Sequence, residues 1–401
     1  MFERVKADDW SSTIGIATRV VILFAAVLPV PLAAAQGLGL TADETASWIM
    51  AIYGLTGLLS VAFVLFFRQP LVATANLFAL IFVVSISQEF HYPQLIGAFI
   101  VAGAGVLLIS AFNLTGRLAA WLPAPIIFGL LSGAVISIVW EAFTALGQAP
   151  LLVGGTLLAY LLGRRFLSHF LPAILPALVV GLLIAGLTGQ IGPLPARWLL
   201  PAPQFTAPAF SLPAIVTISP ILVVLIVLQA NLPSIIFLRE EGYEPPVRAV
   251  DTASGLGAIL GSLIGPIGVS LSLPITSLVA GPEAGAVGLR RRAALLAGAG
   301  AVVIGLFAGF AAELPAFIPP ALLATLAGLA LFNVLVNALQ KVTEGPLVLG
   351  PVSALAVSLS DISLLGFGPF FWALVVGVTV SLLLERDAMR ALAREKGGET
   401  D

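Results

Sequence analysis

The chain has no cysteine and only two histidines among its 401 residues. No disulfide, thiolate metal site or cysteine nucleophile can form, and two scattered imidazoles do not make a metal cluster. Charge is equally scarce: 9% of residues are charged against 59% hydrophobic. A chain so poor in polar groups cannot cover a surface in water, and the mean hydropathy of +1.11 puts it in a bilayer. A net charge of −2 leaves no basic footprint for nucleic acid. There is no nucleotide loop, no zinc-ligand pair and no nucleophile–base constellation, so neither an enzyme nor a resident cofactor is expected. The charged start, Met1 to Trp10, lacks a small-residue cleavage site after the first apolar run, so that run is expected to be retained.

What the chain has in abundance is apolar runs of membrane-crossing length. At ~17–25 residues per passage, they lie near 13–35, 46–66, 70–88, 93–113, 122–142, 149–166 and 171–191. After a proline-rich stretch at 192–213, seven more lie near 214–237, 250–264, 266–282, 291–312, 318–340, 346–360 and 368–384. The expected fold is an all-α polytopic membrane protein of about fourteen passages. Residues 1–191 form a first repeat, 192–213 an external linker, 214–385 a second repeat and 386–401 a cytoplasmic tail. An odd number of passages per half makes the second repeat enter from the opposite side, so the repeats are inverted.

Lysine and arginine are retained on the cytoplasmic side of membrane proteins. With the N-terminus inside, 17 of the 18 basic residues fall on that face, Arg4, Arg68, Arg117, Arg290, Arg291, Arg292 and Lys341 among them. Arg197 alone falls outside, where Asp43, Glu44, Glu89 and Glu313 also lie. Both termini are therefore expected in the cytoplasm.

Two of the runs are broken in matching places, Arg68 to Asn76 and Gly265 to Ser272. Pro70 and Pro266 are separated by 196 residues (266 − 70), as are Pro123 and Pro319 (319 − 123). Interrupted spans at corresponding positions of two halves point to a substrate site, because unwound backbone survives in a membrane only where it lines a cavity or is buried in protein. Each is expected to hold an extended stretch followed by a half-helix. A half-helix N-terminus carries roughly half a positive charge and free N–H groups, so two aimed at one place balance a monocarboxylate. No lysine or arginine is then needed where a formal charge costs about 2.5–3.5 kcal/mol. The candidate substrate-binding residues are Ala73, Thr74, Ala75 and Asn76 in the first break and Val269, Ser270, Leu271 and Ser272 in the second. Gln229 and Asn231, amides in an apolar run, join them; helix capping or interhelical hydrogen bonding is the competing use of all these polar groups. Glu89, Glu141 and Asp361 are the acidic residues read in or beside passages, toward their outer ends; interface solvation accounts for them, and a proton acceptor reached from the external vestibule is the functional alternative. His91 and His169 read as interfacial, with a proton relay as the alternative. Tyr53, Phe78, Phe332 and Asn333 could line a cavity.

The stretch Leu228-Gln229-Ala230-Asn231-Leu232-Pro233-Ser234, followed by Leu238-Arg239 and Gly242-Tyr243-Glu244-Pro245-Pro246, resembles the eighth passage and following loop of the benzoate:proton symporter (BenE-type) family. Ala280-Gly281-Pro282-Glu283-Ala284 leading to Arg290-Arg291-Arg292 resembles it too, and the runs beginning Leu122-Pro123-Ala124-Pro125 and Pro319-Pro320-Ala321 are similar to its fifth and twelfth passages. The resemblance implies the fold of uracil and sulfate permeases, with a core domain (passages 1–4 and 8–11) and a gate domain (5–7 and 12–14). It implies substrate held between the half-helices of passages 3 and 10. The chain departs from the family in the breaks: Ala75 to Ala79 replaces a Trp-Ser-Thr-Pro-Gly-like run, and Gly268-Val269-Ser270 replaces a Gly-Gly-His element. The eighth passage also lacks a carboxylate. The implied function is secondary transport of an organic carboxylate, benzoate-like, with protons, by elevator displacement in the bacterial inner membrane. A nucleobase or inorganic-anion permease and an anion channel are the alternatives. Membrane lipid and a homodimer formed through the gate domain complete the expected partners.

Overall fold

Pro70 and Gly265 stop helix where the sequence places the breaks. Pro70 lacks an N–H for a helical bond, and Gly265 adopts φ +155°, with a Cβ there falling on Trp48. Each break then runs extended for three residues, β1 (Ala73–Ala75) and β2 (Val269–Leu271), and the two strands pair antiparallel, Thr74 opposite Ser270. Helix resumes directly beyond each, as a first half-helix (Leu77–Ile86) and a second (Leu273–Ala280).

The computed structural model describes residues 7–115, 124–167, 171–196, 201–360 and 362–390, with side chains from Thr13 onward. Arg4, Lys6, Arg117, Pro123, His169, Arg197, Asp361, Arg394 and Lys396 lie outside the described residues. Among the described residues the regular structure apart from the two strands is helical. Seven helical runs among them are long and apolar enough to cross a membrane: Thr13–Gly37, Ala42–Phe67, Tyr92–Phe112, Ala124–Gln148, Pro150–Leu167, Leu212–Glu240 and Pro320–Val342. Val287–Leu306 and Ala308–Phe317 form an eighth with a 59° bend. Shorter apolar helices are the first half-helix, Ile174–Leu187, Leu349–Ser358 and Pro369–Leu384. The outer surface is apolar, with Phe66 and Leu187 each 80% exposed. In water such a surface would aggregate; against lipid tails it carries no penalty.

The helix Ala124–Gln148 packs along Pro320–Val342 and also against Leu349–Ser358, while Val247–Ser262 packs along Tyr92–Phe112. The second pair touches through glycine. A Cβ at Gly103 would stand 2.7 Å from the Gly255 carbonyl oxygen, and one at Gly255 2.8 Å from that of Gly103. Small residues let membrane helices approach closely enough for dispersion to hold them, in the absence of a hydrophobic drive.

Leu349–Ser358 is capped from outside. The Glu385 carboxylate accepts from the backbone N–H groups of Val348 at 2.6 Å, Leu349 at 2.7 Å and Gly350 at 3.0 Å, and from the Ser381 hydroxyl at 3.0 Å. Burial alone raises the carboxyl, but these four bonds outweigh it and hold Glu385 below the ordinary value of 4.5. A carboxyl lowered on folding contributes stability that is present above the unfolded value and lost as pH falls through the folded one. Wild type is therefore expected to exceed Glu385→Gln in thermal stability at neutral pH, the gap closing as the solution is acidified through the carboxylate range. A gap unchanged in acid would remove the carboxylate from this role.

Candidate substrate site

The strands place the half-helices. Because β1 and β2 run antiparallel, the chain leaves them in opposite directions, so the half-helix N-termini approach the ladder from opposite ends. The Asn76 N–H donates to Gly268 O at 2.6 Å, seating the start of the first half-helix beside the start of β2. The first-turn N–H groups of both half-helices have no partner within their own helix, and their positive dipole ends meet over three residues of strand, roughly 10 Å.

Four side chains hold the ladder and its approaches. Ser60 Oγ donates to Ala73 O at 2.8 Å, and Trp48 Nε1 donates to Pro266 O at 2.8 Å from a fully buried ring. Asn76 does most: its Oδ1 accepts from Ala79 N at 3.0 Å as the N-cap, while its Nδ2 donates to Leu225 O at 3.0 Å and to Ser270 Oγ at 3.2 Å. One amide thus joins the two breaks and the π-helical turn Leu225–Asn231. At the other end of that turn, Asn231 Oδ1 accepts from Leu271 N at 2.8 Å, and Nδ2 donates to Asp251 Oδ1 at 2.8 Å and Ser254 Oγ at 3.1 Å.

The structure therefore brings eight of the ten sequence candidates into one ladder and its two caps, and ties Asn231 to it. Ala73, Thr74 and Ala75 form β1, Val269, Ser270 and Leu271 form β2, and Asn76 and Ser272 are the N-caps of the half-helices. Gln229 lies on the same π-helical turn, between the points where Leu225 and Asn231 meet the ladder, and is half-buried, its side-chain amide making no hydrogen bond among the described residues. Ser272 caps by conformation alone, its hydroxyl making no cap bond.

Phe78, in the first turn of the first half-helix, meets Phe128 of Ala124–Gln148 edge to face, centroids 6.2 Å apart. Lys341 lies over the far ring, its Nζ 5.7 Å from the Phe128 centroid. A narrow apolar cleft lined by Ile127, Leu130, Ile221, Val224 and Leu374 opens between the same helix and Leu212–Val224. The other cavity candidates sit elsewhere in bonding terms. Tyr53 Oη donates to Phe24 O at 2.9 Å, and Asn333 Oδ1 accepts from Arg164 at 2.8 Å. Glu89, Glu141 and His91 are exposed.

Arg290, counted from the sequence among the basic residues of the cytoplasmic face, turns inward. It is 9% exposed and donates to Ala280 O, the end of the second half-helix, to Gly285 O and to Glu241 Oε2, the last at 2.7 Å. The residue that sequence reasoning passes over is Asp251, because it sits at the edge of a charged loop in the sequence yet is 1% exposed in the fold. The signal was a carboxylate one residue inside an apolar run.

The fold, helical with two half-helices meeting at paired strands, has counterparts among solved structures. The chain superposes on the transmembrane domain of a cyanobacterial bicarbonate transporter, BicA, with TM-score 0.55 at 19% identity, covering 94% of this chain and 98% of that one. It superposes on the murine Slc26a9 anion transporter in its inward-facing state with TM-score 0.65 at 15% identity, covering 96% and 69%. The profile of the BenE family, benzoate membrane transport protein, matches residues 5–383, and the chain belongs to that family. It is 25% identical over 381 residues to the benzoate membrane transport protein of Acinetobacter baylyi, covering 94% of this chain and 96% of that protein. It is also 25% identical over 355 residues to the inner membrane protein YdcO of Escherichia coli, covering 87% and 90%.

Proposed function

We propose that this protein carries an organic carboxylate anion, a benzoate-like aromatic acid, across the inner membrane together with protons. The observation that carries the reading is the meeting of two half-helix N-termini at the β1–β2 ladder. They supply partial positive charge and N–H donors for a carboxylate without a fixed cation. The Phe78–Phe128 pair supports an aromatic substrate, since a ring entering beside Phe78 finds edge and face partners in place of water. Gln229 supplies a free amide on the neighbouring turn.

In this reading the chain crosses the membrane fourteen times as two inverted repeats, with both termini cytoplasmic. Passages 1–4 and 8–11 form a core carrying the ladder; passages 5–7 and 12–14 form a gate carrying Phe128. Alternating access follows from displacement of the core against the gate, and a homodimer through the gate keeps that scaffold still.

Aromatic and aliphatic carboxylates, bicarbonate and a nucleobase, screened for their effect on thermal stability, test the reading, because a ligand of the folded state raises stability by mass action. Benzoate is expected to raise it, and Ala75→Phe to abolish the rise with little loss of basal stability. Ala75 is the better position than Ser270, being half-buried whereas Ser270 is 1% exposed and bonded to Asn76. A rise with bicarbonate or the nucleobase alone would transfer the site to the alternative substrates; a rise retained in Ala75→Phe would move it off the ladder.

A further inference from the structure

Asp251 is a buried carboxylate to which this reading gives no part. Its oxygens are met by neutral donors, Asn231 Nδ2 at 2.8 Å on Oδ1 and Thr115 Oγ1 at 3.2 Å on Oδ2. No cation among the described residues forms an ion pair with it. On its own helix Arg248 is exposed and offers only its carbonyl, which accepts from Ser110. The packed helix Tyr92–Phe112 brings one titratable side chain, Tyr92, at its far end. The turn Met50–Leu55 brings Tyr53, whose hydroxyl is bonded to Phe24 O; β2 and Leu225–Asn231 bring none. A carboxylate buried in protein with no counter-charge among the described residues is costly to keep ionised, and such a group suits a proton site.

We propose that Asp251 is the proton-binding residue of transport and that Asn231 passes its state to the substrate ladder; the proposal rests on the proton-coupled carboxylate reading above. With Asp251 ionised, the Asn231 amide is oriented by giving N–H to Asp251 Oδ1, which leaves its Oδ1 to accept from Leu271 N. A proton arriving from water adds to Asp251 Oδ1 and makes it a donor. The amide then turns its oxygen to Asp251 and its NH2 toward Leu271 N–H. Two donors face each other, and the bond that holds the end of β2 against the π-helical turn is lost. Proton uptake thus loosens the strand that leads into the second half-helix, two residues from its first turn. Return of the proton restores the bond. Ser254, the second acceptor for Asn231 Nδ2 at 3.1 Å, steadies the ionised arrangement.

Asp251→Asn keeps the shape while removing the titration. In proteoliposomes, with protein-free vesicles setting the level reached by passive entry of the neutral acid, wild type is expected to accumulate labelled benzoate several-fold when the outside is made acid. Asp251→Asn is expected to exchange labelled for unlabelled benzoate within about threefold of wild type, yet to accumulate none above the level without a gradient. Gradient-driven accumulation by Asp251→Asn overturns the proposal. Infrared spectra of wild type and Asp251→Asn, both carrying 13C-labelled aspartate, give a readout that needs no transport. A carboxylic-acid band that shifts with the label, comes and goes with pH and is missing from Asp251→Asn is expected; its absence from wild type or its survival in the variant overturns the proposal. If wild type moves no benzoate, the substrate reading fails while the infrared result still decides whether Asp251 binds a proton.

Discussion

Alanine at Asn76 is expected to abolish uptake and to lower stability by about 3–5 kcal/mol. Removing an N-cap costs ~1 kcal/mol, and a buried partner left without its hydrogen bond costs ~1–3 kcal/mol more. Asn76 is 3% exposed, and the substitution would strip Ala79 N of its cap and Leu225 O and Ser270 Oγ of their donor. Uptake should fail because the ladder and π-helical turn lose the amide that sets their spacing, so the half-helix ends no longer meet. Asn76→Asp separates the parts of the argument. It keeps the acceptor for Ala79 N, loses both donated bonds and adds negative charge where an anion must bind, so intermediate stability with no uptake is expected. Thermal denaturation and vesicle uptake of the two variants provide the check, and wild-type uptake by Asn76→Ala would remove the ladder from the transport path.

Arg290→Ala should cost about 2–4 kcal/mol. Breaking a buried ion pair by deleting one partner costs ~3–5 kcal/mol, and partial exposure lowers the figure. Here the side chains are 11% and 24% exposed, and the same guanidinium also serves Ala280 O and Gly285 O. Its place at the C-terminus of the second half-helix adds a favourable dipole contact for a cation. Lysine has a charge but no planar fork, so it can satisfy Glu241 or the carbonyls but not all three groups. Arg290→Lys should therefore fall well short of wild type in thermal stability, and full rescue would reduce the role of Arg290 to charge alone. Neighbouring Arg291, on the same helix, gives the comparison for charge loss without the carbonyl contacts.

The apolar runs, their breaks at Pro70 and Gly265, and the extended-then-helical course of each break are local properties, and all are legible before any fold is seen. Proline removes an N–H and glycine permits positive φ wherever they stand, and hydrophobicity is read residue by residue. Asn76 and Asn231 mark the limit of that reading. In the sequence each amide stands for ligand binding or for capping and packing. In the fold all their polar atoms are engaged with protein groups, Asn76 with Leu225 and Ser270 and Asn231 with Asp251 and Leu271. Arg290 reads from the sequence as part of a charged cytoplasmic stretch and Asp251 as the polar edge of an apolar run, and tertiary packing buries both.

Composition alone committed this chain to lipid, since no arrangement of so few polar residues could face water. It also committed two segments to unwound backbone, which in lipid must find polar partners. Which partners they found was left to the fold: β1 and β2 satisfy each other, Thr74 opposite Ser270, across nearly half the chain. A hydrogen bond needs both its donor and its acceptor in place, and only packing of the intervening helices brings residues so remote together. The same packing decides which amides stay free for a ligand, and among the described residues it spends Asn76 and Asn231 on the scaffold and leaves Gln229 unspent.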